Sequence, residues 1–390
     1  MEIKNIPNDV KETLLALENN GFEAYLVGGC VRDMLMKRTV HDYDITTDAL
    51  PDEVIEVFDG SGLVTDGIRH GTVGVIKKTG VLEITTYRID GKYSDSRHPD
   101  GVRFTKSLRE DLSRRDFTVN AIACDIRGNI ADPFGGISDI GKRVIRAVGD
   151  PRLRFSEDAL RIMRAIRFSS VLGFDIENET LLAMLEKKEL LKNISPERIY
   201  SELTKLLTGK NAGSVLKYWD ILPFGIKPDA LPFEKRTQQE AADVSLSYAL
   251  FLKNDKEKAE GFFASLRADK KTAALTTETL NTPLPDTEVK MRLCLSDTSR
   301  ESIERVISYK YLTGEISSRE PYLSLLSSAL KKCFKTADLA VNGNDLKDIG
   351  FSGRGIGEAL SFLLREVIEN GCENEKESLI LALKSKFTHN

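Results

Sequence analysis

The sequence predicts an α+β protein, with an N-terminal mixed α/β head built on a small mixed sheet and an all-helical remainder. Three observations predict it. Runs such as EAYLVGG, DYDITT, GTVGVIKK, VLEITTYRI and VRFTKSL alternate or carry β-branched residues, and all begin before residue 105. From about residue 151 a helical period dominates, with Gly and Pro confined to turns such as NISPER and LNTPLPDTE. The length of 390 residues exceeds one ordinary core, so two to four domains or subdomains are expected.

Composition narrows the class. A content of 41% hydrophobic and 30% charged residues, without an apolar run near eighteen residues, predicts a soluble globular chain with no membrane partner. The start, MEIKNIPNDVKETL, mixes charges and lacks an apolar segment, which points to the cytoplasm rather than secretion. Cys30, Cys124, Cys294, Cys333 and Cys372 lie far apart without a C-x-x-C pair, so reduced thiols and no zinc site are expected. The net charge of −4 selects no partner, but residues 141–170 hold eight Lys/Arg against three Asp/Glu, which reads as a local anion site.

Taken in order, VKETLLALENNG is a short amphipathic helix stopped at Gly21. EAYLVGG is a buried strand running into a double Gly, and VRDMLM restarts a helix. Residues 89–104, IDGKYSDSRHPDGVRF, are small and polar with two Gly and one Pro, and read as a flexible loop. DPFGGISDIGKRVIRAV reads as a turn leading to a basic strand-like segment, with Gly135 and Gly136 as either a hinge or a tight turn. FSEDALRIMRAIRF, residues 155–168, reads as one uninterrupted helix. On its wheel Asp158, Arg161 and Arg164 share an arc, Arg167 lies at that arc's edge, and Ala159, Ile162, Met163 and Ile166 lie opposite.

The strongest chemical signal is LVGGCVRD followed by HDYDI. A strand ending at Gly28 and Gly29 and opening a helix leaves backbone N–H groups free and admits a phosphate chain, with Arg32 one turn further on. Asp42 and Asp44 are two apart, so strand alternation puts both carboxylates on one face, a platform of hard oxygen ligands suited to Mg²⁺ bridging substrate phosphates. Glu83, between Leu82 and Ile84, is the first choice for the group that activates an attacking hydroxyl, as metal ligand or base. Asp116 is its rival, and Arg114 and Arg115 bring cations beside it.

These residues carry a resemblance. LVGGCVRDMLMKRTVHDYDITTDALP, TYRIDGKYSDSRHPDGVRF, RRDFTVNAIACD, DPFGGISDI, EDALRIMRAIRF and ISPERIYSEL, in this order, resemble the successive motifs of class II tRNA nucleotidyltransferases, the CCA-adding enzymes. The C-terminal VNGNDLKDIGFSGRGIGEAL region is similar to the tail of the shorter bacterial members. The resemblance implies a catalytic nucleotidyltransferase head at 1–150, a nucleotide-selecting neck at 151–210, a helical body at 211–335 and a tRNA-binding tail at 336–390. It implies addition of C, C and A to tRNA from CTP and ATP, with A-only addition or poly(A) synthesis in the same superfamily, and a non-catalytic RNA-binding protein, as alternatives. It extends the nucleotide site to Asn120 and makes Asp158 and Arg161 the readers of the incoming base. Elementary chemistry agrees: a carboxylate accepts from the amino group of C or A and a guanidinium donates to the ring nitrogen, whereas U and G present the reverse pattern. Arg164 and Arg167 then continue toward the phosphates or the primer strand. A loop at 89–104 is implied in the switch to A addition. Arg354, Lys331 and Lys332 are the candidate RNA contacts of the body and tail, and the protein is expected as a monomer or homodimer. The four histidines are too few for the phosphohydrolase-type metal domain that some members carry.

Overall fold

The structure, a computed structural model, describes residues 6–78, 80–90, 102–226 and 228–387. The chain forms two compact units, Met1–Lys227 and Pro228–Asn390. The first opens with α1 (Asn8–Asn19), β1 (Ala24–Val27), α2 (Gly29–Leu35), β2 (Asp44–Thr47) and α3 (Pro51–Val57). Then come β3 (Leu63–Val64), β4 (Thr72–Lys77), β5 (Gly80–Thr86), β6 (Arg88–Asp90), β7 (Val102–Phe104) and α4 (Leu108–Ser113). The unit continues through β8 (Ala123–Cys124), β9 (Ile130–Ala131), α5 (Gly136–Lys142), β10 (Val144–Ile145), α6 (Pro151–Glu157), α7 (Leu160–Leu172), β11 (Asp175–Ile176), α8 (Asn178–Lys187) and α9 (Pro196–Leu207).

Seven strands form a mixed sheet in the order β3-β4-β5-β2-β1-β8-β9, in which β2 and β5 run parallel and the other neighbours antiparallel. Alternation decides its faces. Val73, Val75, Leu82 and Ile84 are buried with Leu26 and Ile45 against Val10, Leu14 and Leu17 of α1 and Val54 and Phe58 of α3. Glu83 and Val81, one residue out of phase, face the other way and are exposed. The two short strands β6 and β7 pair as a separate ribbon, Arg88 opposite Phe104. The expected flexible loop falls largely between them, and its residues 91–101 lie outside the described residues.

Two expectations are corrected here. FSEDALRIMRAIRF is not one helix: Asp158 leaves helical geometry at φ −140° and ψ 102°, ending α6, and its carboxylate accepts the Leu160 N–H at 3.1 Å to start α7. An aspartate that can cap the next turn competes with continuing the helix. The tight turn expected around Gly135 and Gly136 is present, with Gly135 at φ +75°, but it leads into a helix, α5, before the strand-like segment, and the Asp132 carboxylate accepts the N–H groups of Gly136 and Ile137 at 2.7 and 2.9 Å. A Cβ on Gly136 would collide with the Thr118 carbonyl, so this glycine serves close packing and no hinge.

The second unit is helical throughout its described residues, its longest helix being Arg354–Ile368. It has one core around Met291, Ile303, Ile307 and Leu326 and another around Leu346, Leu363, Ile368 and Leu379. No helix among the described residues is long and apolar enough to cross a membrane, and all five cysteines are free thiols.

Candidate active site

The site is built on the edge where β1 and β2 lie side by side. Leu26 pairs with Ile45, so the chain leaves β1 into Gly28 next to the point where β2 begins at Asp44. Gly28 takes φ +79°, and a Cβ there would stand 2.9 Å from a terminal nitrogen of Arg115. Glycine supplies both the left-handed backbone and the space. On the other side of β2, Asp44 is in direct register with Glu83 of β5. Neighbours in register on adjacent strands share a face, so these two carboxylates stand together. Asp42, expected on the same strand, precedes it; strand alternation therefore does not orient its exposed side chain. Among the described residues, Asp42, Asp44 and Glu83 form no ion pair. Desolvation pushes the Asp44 carboxyl above its ordinary value, Arg115 works against this, and the charges of Glu83 and Asp42 add to it. Like charges that raise the Asp44 carboxyl call for a cation. The fit is partial, since no three His, Cys, Asp or Glu side chains among the described residues are preset at metal-binding distance.

Beside the carboxylates the arginines form a bonded chain. Arg32 donates to Asn120 at 2.6 Å and to the Asp33 carboxylate at 3.0 Å. Asn120 donates to Asp116 at 3.1 Å, and Asp116 receives Arg164 at 2.6 and 2.8 Å. Glu202 of α9 holds Arg167 at 2.9 Å and stands 3.7 Å from Arg164. The ring of Phe168 lies between Arg32, Arg164 and Arg167, whose guanidinium carbons are 5.4, 5.4 and 4.0 Å from its centre. Burial works against the charge of Asp116, but Arg164 and Asn120 outweigh it and hold the carboxyl at about 2. Asp116 is thus committed to Arg164, whereas Glu83 has no ion pair among the described residues. Arg114 and Arg115 both reach Asp111, at 2.8 and 3.5 Å, and burial lowers the Arg115 value.

In the neck segment, Arg164 and Arg167 are each received by an acid on another segment, Asp116 and Glu202. The excess of positives in 141–170 is cancelled in space: Arg146 meets Asp139 and Glu177, and Arg152 meets Glu186. Asp158 and Arg161 do not pair with each other. Asp158 receives Arg198 at 2.8 Å, while Arg161 donates to Glu157 and to the Arg114 carbonyl, each at 2.9 Å. Both side chains nevertheless leave the α6–α7 joint, and three of the five N–H donors of Arg161 fix its plane.

The chain is similar to known proteins over nearly its whole length. The family model described as "Poly A polymerase head domain" matches residues 24–146, "Probable RNA and SrmB- binding site of polymerase A" matches 173–218, and "tRNA nucleotidyltransferase domain 2 putative" matches 236–383. The CCA-adding enzyme of Enterococcus faecalis is 34% identical over 99% of this chain and 98% of its own. The chain belongs to the CCA-adding enzymes. A second such enzyme, from Limosilactobacillus fermentum, is 35% identical over 98% of both chains. The crystal structure of the Bacillus stearothermophilus CCA-adding enzyme in complex with CTP superposes with a TM-score of 0.79 at 31% identity, covering 98% of each chain. This protein is accordingly a CCA tRNA nucleotidyltransferase.

For a CCA-adding enzyme, sequence reasoning missed Asp111, Glu157 and Glu202, which hold arginines of the site, and Arg198, which holds Asp158. Arg198 and Glu202 lie in ISPERIYSEL, and their helical spacing of four was the available signal. In the second unit Arg354 is 95% exposed at the first position of its helix, with Glu358 at 3.3 Å. Lys331 and Lys332 are both exposed, and Lys332 is paired with Glu288 at 2.5 Å.

Proposed function

We propose that the chain adds C, C and A to tRNA 3′ ends in the cytoplasm, as a monomer or homodimer, with Asp42 and Asp44 as Mg²⁺ ligands and Glu83 as the group that receives the proton of the attacking 3′ hydroxyl. A divalent ion on these carboxylates would neutralise charge developing at the α-phosphate. Gly28 and Gly29 let the triphosphate approach the backbone, and Arg32 and Arg115, with Arg114 behind them, grip it. Asp158 and Arg161 read the base edge, with Arg198 and Glu157 setting their orientation. Arg164 and Arg167, locked to Asp116 and Glu202, position that wall. U and G would leave buried donors facing donors, a penalty on the order of 1–3 kcal/mol per mispaired group. In the second unit Arg354, Lys331 and Lys332 contact RNA backbone, which suits an enzyme that accepts every tRNA.

The observation that carries this reading is the register of Asp44 with Glu83 directly beside Gly28 and Arg115. Its test is incubation with tRNA ending at the discriminator base, CTP, ATP and Mg²⁺. The product is expected to gain C, C and A in that order. Incorporation of A without C would favour the A-only reading and contradict this one.

A further inference from the structure

The sheet face that carries Asp44 and Glu83 does not stop at the carboxylates. Glu83 is in register with Gly74 of β4, Gly74 with Val64 of β3, and Ile76 with Val81. Side chains in register share a face, so Val64, Ile76 and Val81 stand on the carboxylate side, opposite the core formed by Val73, Val75, Leu82 and Ile84. They are 37%, 53% and 51% exposed. A solvent-facing strand position ordinarily carries a polar residue, and here three β-branched apolar ones are grouped. Two glycines let them lie low: a Cβ on Gly74 would stand 2.7 Å from Val81 and 3.1 Å from Val64, and one on Gly62 would stand 3.1 Å from Ile76. The result is a flat apolar shelf that begins where Glu83 ends.

Its position identifies what it fits. The strand order β4-β5-β2-β1 places the shelf and the phosphate-gripping residues Gly28 and Arg115 on opposite sides of Asp44. In nucleotidyl transfer the attacking and leaving oxygens lie roughly in line, on opposite sides of the α-phosphorus. If the leaving pyrophosphate is held on the β1 side, the attacking 3′ hydroxyl arrives from the β5 side, across this shelf. We infer that Val64, Ile76 and Val81 seat the ribose and base of the acceptor strand's terminal nucleotide, by apolar contact and without reading its identity. A surface without hydrogen-bonding side chains suits a terminus whose base changes with each addition. The inference rests on the catalytic assignment proposed above.

The test compares wild type with Val81→Asp and Ile76→Asp, both at exposed positions. With tRNA lacking its three terminal residues, kcat/KM for the tRNA is expected to fall about tenfold in each variant, while the Kd for CTP without tRNA stays within about twofold. Should either Asp variant lower Tm, the milder Val81→Thr and Ile76→Thr replace them, and a drop of about threefold in their double variant carries the same meaning. An unchanged kcat/KM for tRNA in folded variants overturns the shelf. Wild-type protein in the same assay separates the two levels: if it adds no C, C and A, the catalytic reading itself fails.

Discussion

Two charged regions meet at this site and are organised oppositely. Along the strand edge, Asp42, Asp44 and Glu83 are exposed acids with no ion pair among the described residues, and their mutual repulsion helps keep the Asp44 carboxyl high. In the neck, the run of arginines is almost fully compensated: Arg161 by Glu157, Arg164 by Asp116, Arg167 by Glu202. Density of charge in the sequence therefore says little about function. What matters is whether charge is balanced in space. An unbalanced acidic edge invites a cation, whereas a balanced arginine network fixes geometry and contributes stiffness.

The comparison breaks most visibly if the two regions respond alike to losing a carboxylate. Asp44→Ala should lower kcat on the order of 10³-fold while leaving Tm unchanged or slightly raised, because it removes a repelled charge. Asp116→Asn should do the reverse, costing about 3 kcal/mol of stability by removing the charged carboxylate that receives Arg164 twice, with a fall in Tm as the readout. The sign with pH follows. A carboxyl held at about 2 when folded, below the ordinary ~3.9 of an unfolded Asp, stabilises the fold above pH ~4, and this is lost as pH falls toward 2.

A smaller effect sharpens the contrast inside the neck. Asp158→Ala removes an acceptor that carries no folding core, so discrimination against UTP and GTP should fall by about 10–100-fold with modest loss of stability. Unchanged discrimination would mean that the base is read elsewhere. The smallest effect concerns protons at the acidic edge. Because the Asp44 carboxyl is raised, activity that requires its charged form should be lost, as pH falls, earlier than for an ordinary Asp, and more Mg²⁺ should move that limb to lower pH.

The parts legible in the sequence were those decided locally. The double Gly after EAYLV, the acid alternating with Leu82 and Ile84, and the passage from strand to helical periods each need only a few neighbouring residues, and each places its element correctly. The break at Asp158 was hidden because Asp is tolerated within a helix and the Arg198 that holds its carboxylate lies 40 residues away. The seven-residue helix at Gly136 was missed because GISDIGK has weak propensity and is held by Asp132 and packing on Thr118. The partners of the neck arginines come from as far as Asp116, a separation of 48 residues from Arg164, which no local pattern reveals.

Cation binding at the strand edge tests the account most directly. Mn²⁺ titrated into the CTP complex and followed by water proton relaxation should reveal a site that Mg²⁺ displaces. That site should disappear in Asp44→Asn and persist in Asp158→Asn. A site of undiminished affinity in Asp44→Asn would contradict the account, because the unbalanced carboxylates would then not be what holds the metal.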